Sequence, residues 1–136
     1  MKNRRQFLKE SSALGAASFL APSIYAGTAA GASELEVGVL FSLSGGLAMI
    51  EKSLSDATLM AIDEINAAGG VNGMMIKPIL EDGASDPKTY NEKASKLVIR
   101  DRVPTVFGSY TSASRKAVLP VFEKRNNMYF YPTYYE

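Results

Sequence analysis

Two short stretches rich in hydroxyl groups and glycine carry most of the polar chemistry of this chain: Ser42-Leu43-Ser44-Gly45-Gly46 and Gly108-Ser109-Tyr110-Thr111-Ser112. Hydroxyls, phenols and backbone amides hold a small polar ligand through hydrogen bonds; alone they do not break bonds. The sequence has no His and no Cys, which removes imidazole-dependent serine triads, catalytic thiols, Cys/His zinc sites and disulfides. Glu81, Asp82 and Asp86 form an acidic cluster that reads as a helix cap and a solvated loop, because no further metal ligand lies nearby and Asp86 precedes Pro87. No metal, no cofactor and no enzymatic activity are expected. A net charge of +1 over 136 residues is too small for a nucleic-acid surface.

The elements that must position those stretches follow from periodicity. Residues 35–41 are an almost continuous apolar run, as a strand buried on both faces requires. Leu47, Ile50, Leu54, Ala57, Ala61, Ile62, Ile65 and Ala68 then recur at helical spacing, with Glu51, Lys52, Ser55, Asp56, Asp63 and Asn66 on the opposite side. Gly69-Gly70 and Asn72-Gly73 end this helix and turn the chain. A second strand at 76–81 carries Pro78, which cannot donate a ladder hydrogen bond and therefore belongs on a sheet edge.

Asp86-Pro87 opens a second helix whose buried stripe is Tyr90, Ala94, Leu97 and Val98. A third strand at 105–107, a third helix at 112–125 kinked by Pro120, and a short fourth strand at 128–131 complete the pattern. Alternating strands and helices imply right-handed βαβ units, an α/β class and an open parallel sheet with helices on both faces. With the second strand at the rim, the simplest order is 2-1-3-4. Ligands of such sheets bind where the chain reverses, at the carboxyl ends of strands one and three, between the two hydroxyl-rich stretches. No covering helix follows the fourth strand, so residues 33–136 are expected to be the front part of a longer domain.

The first 32 residues have a different character. Lys2, Arg4, Arg5 and Lys9 form a basic head, followed by a mildly apolar run at 13–26 that is too short and too weak to span a bilayer. Asn3-Arg4-Arg5-Gln6-Phe7-Leu8-Lys9 resembles the twin-arginine export signal, with Asn3 departing from the usual Ser or Thr. Cleavage fits after Ala26 or Ala32, and the lack of Cys excludes a lipidated cysteine. The expected location is the periplasm or an equivalent exported space.

The mature segment resembles the type I periplasmic binding proteins of ABC transporters. The motifs that carry this are Val37-Gly-Val-Leu-Phe-Ser-Leu-Ser-Gly45, Ala61-Ile-Asp-Glu-Ile-Asn-Ala-Ala-Gly-Gly-Val-Asn-Gly73 and Asp82-Gly-Ala-Ser-Asp-Pro87. More specific are Phe107-Gly-Ser-Tyr-Thr-Ser-Ala-Ser-Arg-Lys-Ala-Val-Leu-Pro-Val-Phe-Glu123 and Tyr129-Phe-Tyr-Pro-Thr-Tyr-Tyr-Glu136. These look like the urea and short-chain amide subgroup more than the leucine-binding one. Ser109 and Gly83 depart from that subgroup's usual Cys and Pro.

The resemblance implies the first of two lobes that close on a small neutral ligand and present it to a membrane permease. Carried over by position, Ser112 matches a ligand-binding hydroxyl, Tyr110 an aromatic wall, and Thr133 and Tyr135 a second ligand-binding stretch; Ser44 and Ser85 lie on neighbouring loops. Ser112 also suits a plain helix N-cap. Tyr129 and Tyr131 read as packing, the basic residues between 93 and 102 as a solvated face or a surface toward a partner, and Arg115 and Lys116 as solvated residues or cleft rim. Two rivals stay open: a branched-chain amino acid binding protein, and a flavodoxin-like phosphate- or nucleotide-binding enzyme using 42–46 as an anion cradle.

Overall fold

The computed structural model describes residues 33–133 of a chain that divides into two units, residues 1–31 and 32–136. The export signal expected over residues 1–32 lies outside the described residues, as does Tyr135. The elements, in chain order, are β1 (Glu34–Phe41), α1 (Ala48–Ala67), β2 (Met75–Asp82), α2 (Pro87–Ser95), β3 (Thr105–Gly108), α3 (Ser112–Arg125) and β4 (Met128–Phe130). All strand pairs are parallel and the order is β2-β1-β3-β4, as expected. Pro78 sits on the edge strand, where its missing amide proton costs no ladder bond. No described helix is long and apolar enough to cross a membrane.

Alternation along β1 divides the core between the two faces of the sheet. Leu40 points to one side and packs with Tyr90, Ala94, Leu97 and Val98 of α2 and its extension, Val106 of β3, and Val118 and Phe122 of α3. Val37, Val39 and Phe41 point to the other and meet Ile62 of α1. Each such side chain contributes roughly 1.5–3 kcal/mol when fully buried. On the α1 side an apolar cavity of 620 Å³ remains, lined by Leu35, Val37, Leu54, Ile62, Ile76 and Phe107 among others.

The two central strands approach so closely at their carboxyl ends that a Cβ on Gly108 would lie 2.0 Å from the Leu40 carbonyl oxygen. Only glycine fits there. The close approach brings the ends of β1 and β3 together and sets the spacing of the loops that follow.

α2 begins as its sequence implies. The Asp86 carboxyl accepts the Thr89 amide at 2.8 Å and its hydroxyl at 2.8 Å, and Pro87 occupies the first turn. Those bonds, the amide first, hold the Asp86 carboxyl below its ordinary pKa. Beyond Ser95 the helix widens into a π turn over Lys96–Arg100, which the periodicity did not show. Lys93 and Lys96, expected on a solvated face, pair with the buried Glu81 at the end of β2, Lys93 at 2.7 Å.

α1 departs most from expectation. Ile50 and Ile65, placed in the buried stripe, are 43% and 41% exposed, whereas Glu51 and Ser55, placed on the outer side, are buried. The reason is local: the first turns of α1 lie against the polar ends of β1 and α2, which supply partners for a carboxyl group. Asn66, also placed outside, is bound through both amide atoms to the Ile76 backbone at 2.8 and 2.7 Å, fastening the helix end to β2.

Candidate ligand-binding site

Around the carboxyl ends of β1 and β2, two loops are joined into one hydrogen-bonded body. Asp82 Oδ1 accepts the amides of Leu43 at 2.8 Å, Ser44 at 3.3 Å and Ala84 at 2.8 Å, while Oδ2 accepts the Ser44 hydroxyl at 2.7 Å. Burial pushes the Asp82 carboxyl up, but the Ser44 hydroxyl and the three amides outweigh it and hold the group below its ordinary pKa. The Ser85 hydroxyl donates to the Ser44 carbonyl at 2.9 Å and accepts the Leu47 amide at 3.0 Å. Ala84 and Ser85 both adopt left-handed backbone, φ 50° and 57°. Such conformations persist only where surrounding bonds hold them.

Beneath this body lies a buried polar cluster. Glu51 Oε2 accepts the Ser42 amide at 2.6 Å and the Tyr90 hydroxyl. The Tyr90 proton is thereby committed, so the Ser42 hydroxyl, 3.0 Å away, donates to the Tyr90 oxygen and itself accepts the Ser85 amide at 3.0 Å. Burial first, and then the bond to Glu51, push the Tyr90 phenol well above its ordinary pKa. Glu51, Ser42 and Tyr90 are all fully buried.

Across the crevice, β3 and α3 are arranged differently. The N-cap of α3 is Thr111, whose hydroxyl accepts the Ser114 amide at 3.2 Å. Ser112 is therefore the first helical residue rather than the cap. Its hydroxyl is not needed to close the helix, and the amides of Ser112 and Ala113 lack intrahelical acceptors, as in any first turn. This half-buried helix start faces the point where the sheet order reverses, with its positive dipole end outward.

The backbone that leads into α3 is fixed from β4 and the residues after it. The Tyr129 hydroxyl donates to the Gly108 carbonyl at 2.9 Å and lies 2.5 Å from the buried Ser109 hydroxyl. Burial is the main cause that raises the Tyr129 phenol above its ordinary pKa. The Tyr131 hydroxyl donates to the Tyr110 carbonyl at 2.6 Å, and the Thr133 hydroxyl to the same oxygen at 3.3 Å. The Arg115 guanidinium lies 5.2 Å from the centre of the Tyr131 ring.

The structure thus brings Tyr110, Ser112 and Thr133 together beside β3, and Ser44 and Ser85 together on the facing loops. The hydroxyls of Ser44 and Ser85 are both engaged within the protein. Sequence reasoning missed Glu51 and the clamp made by Asp82, and it treated Tyr129 and Tyr131 as packing without their bonds to the loop. An acid in the first turn of α1, directly behind a glycine turn, was the available signal for Glu51. Among the described residues, no group of three or more potential ligands could hold a metal ion. In the loop at 42–46 the Asp82 carboxyl takes the amides of Leu43 and Ser44, and its negative charge there opposes the binding of a phosphate.

Residues 35–136 match the family described as periplasmic binding protein domain. Among curated proteins, the chain is 36% identical over 118 residues to "Leu/Ile/Val-binding protein homolog 8" of Brucella suis, covering 86% of this chain and 28% of that protein. It is 31% identical over 108 residues to "Leu/Ile/Val-binding protein homolog 7" of Brucella abortus, covering 79% and 27%. Among solved structures, it superposes with TM-score 0.70 and 29% identity on the branched-chain amino acid transporter substrate binding protein LivJ of Streptococcus pneumoniae, in complex with isoleucine, covering 71% of this chain and 28% of that one. A putative branched-chain amino acid ABC transporter protein of Rhodospirillum rubrum gives TM-score 0.70 at 27% identity, covering 74% and 29%. The chain therefore spans a little over a quarter of the length of these relatives. With the β2-β1-β3-β4 sheet, its reversal point and the motifs around it all in place, the chain belongs to the periplasmic binding protein domain family, with the partial type I fold.

Proposed function

We propose that this chain supplies the first ligand-binding lobe of an exported ABC-transporter substrate-binding protein, and that its ligand is an aliphatic, branched-chain amino acid. The observation that carries the reading is the start of α3: Thr111 caps the helix, which leaves the Ser112 hydroxyl and the amides of Ser112 and Ala113 at the crevice. A helix N-terminus favours an anion, so these groups suit an α-carboxylate better than the carbonyl of a neutral amide. Tyr110, Thr133 and Tyr135 would line the same side, with Ser44 and Ser85 in the opposite wall. The relatives named for leucine, isoleucine and valine support the same class.

Urea or a short-chain amide is the second reading, favoured by Ser114-Arg115-Lys116 before Pro120 and by Tyr131-Pro132-Thr133-Tyr134-Tyr135-Glu136. In either case binding draws a second lobe onto the ligand, and the closed form delivers it to a membrane permease without chemistry. Export through the twin-arginine machinery completes the proposal, and replacing Arg4 and Arg5 together by Lys should retain the protein in the cytoplasm. Calorimetric titration of the full-length protein with isoleucine, leucine, urea and acetamide tests the ligand. Saturable heat with the amino acids is expected. Heat with urea or acetamide alone would move the assignment to the second reading, and heat with none of them would overturn both.

A further inference from the structure

Glu51 is buried, yet neither its position nor its bonds serve the hydrophobic core. Both hydrogen bonds it accepts fall on one oxygen, Oε2, from the Ser42 amide and the Tyr90 hydroxyl. The other oxygen, Oε1, is buried without a hydrogen-bond partner among the described residues. A buried polar atom in that state lowers stability, so a carboxyl group here needs a reason other than holding the fold.

The bonds themselves supply one. From Glu51 the chain of contacts runs through Tyr90 to the Ser42 hydroxyl, on to the Ser85 amide, and from the Ser85 hydroxyl to the Ser44 carbonyl and the Leu47 amide. The Glu51–Tyr90 link joins α1 to α2, and the other links join the loop after β1 to α2 or to the loop after β2. The linked segment includes Ala84 and Ser85 in left-handed backbone, which needs external bonds to persist. Gly83, seated against the Tyr90 ring where a Cβ would lie 2.4 Å from it, brings the second loop within reach.

We infer that Glu51 is a positioning residue for ligand capture: through Ser42 and Tyr90 it sets the shape of the paired loops that form the wall facing the start of α3. The inference rests on the ligand-binding reading above and deepens it. Glu51 does not touch the ligand, and the accepted hydrogen bonds, not the residue's bulk, do the positioning.

The test compares Glu51→Ala, Glu51→Gln and Tyr90→Phe in the full-length protein, by isoleucine titration and by amide hydrogen exchange without ligand. Glu51→Ala should weaken affinity of the folded protein about tenfold, Tyr90→Phe about threefold, and Glu51→Gln, which keeps an acceptor for both donors, should recover most of the loss. Exchange at Ser42, Leu43, Ser44 and Ser85 should quicken in Glu51→Ala and Tyr90→Phe while that at Ser109 stays unchanged. Unchanged affinity in both of those variants, or a Glu51→Gln defect as large as that of Glu51→Ala, would overturn the inference. If Glu51→Ala does not fold, unchanged affinity in Tyr90→Phe, or a Glu51→Gln defect larger than that of Tyr90→Phe, overturns the inference. If the native protein binds none of the ligands tried, the ligand reading fails by itself; loop exchange that is the same in variant and native protein then overturns the positioning role, and selective quickening supports it.

Discussion

The two sides of the crevice are built on opposite plans. On the β1–β2 side, serine hydroxyls, loop amides and the carboxyl groups of Glu51 and Asp82 bond to one another, closing the wall on itself and leaving the buried Glu51 Oε1 unpaired behind it. On the β3–α3 side, the bonds come from behind: Tyr129 and Tyr131 hold the backbone at Gly108 and Tyr110, and the helix start at Ser112 stays turned toward the crevice. The difference teaches that hydroxyl-rich loops with similar composition divide the work. In the proposed reading, one shapes the crevice and the other recognises the ligand.

The comparison breaks most severely at the point the two sides share. Gly108→Ala forces a Cβ against the Leu40 carbonyl, and the strands cannot part without losing the β1–β3 ladder. A loss of at least about 3 kcal/mol in stability is expected, measured by chemical denaturation, with no folded protein as the extreme case. A stable variant with native loop exchange would show that the strand approach does not set the crevice.

Two neighbouring substitutions then sharpen the contrast on the recognition side. Ser112→Ala should leave the melting temperature unchanged and reduce isoleucine affinity roughly tenfold or more, because it removes a hydrogen bond to a charged group. Thr111→Ala should do the reverse in emphasis, costing about 1 kcal/mol of stability through the lost cap. If the two variants behaved alike in both assays, cap and contact would not be separate functions. The smallest effect belongs to the closed wall. Asp82 has its pKa lowered in the folded protein, so its stabilising contribution is complete above the unfolded value near pH 4 and is lost as pH falls through the folded one. Asp82→Asn should flatten that acid limb of a stability-against-pH profile; an unaltered limb would place the acid sensitivity elsewhere.

What was legible in the sequence was what depends on near neighbours. Pro78 marked the edge strand, Asp86-Pro87 marked the start of α2, and apolar runs marked β1 and β3, from which the strand order followed. The region of the site was legible for the same reason, since a reversal in strand order places a crevice. Its wiring was not. Glu51 reaches Tyr90 across 39 positions and Ser42 across 9, and a helical wheel assigns any glutamate to the outside. The span of α3 was readable from the sequence, but its cap was not: Thr111, and not Ser112, closes the first turn. The ligand class moved as well: the motifs pointed to urea or an amide, while the helix start and the named relatives favour a carboxylate-bearing amino acid.

The central claim is that the start of α3 receives the ligand's anionic end, and amide chemical shifts test it directly. On titrating isoleucine into the isotopically labelled full-length protein, the resonances of Ser112 and Ala113 are expected to move most within this lobe, and to saturate together. Shifts confined to the apolar cavity beside Leu54 and Phe107, with Ser112 and Ala113 unmoved, would contradict the account.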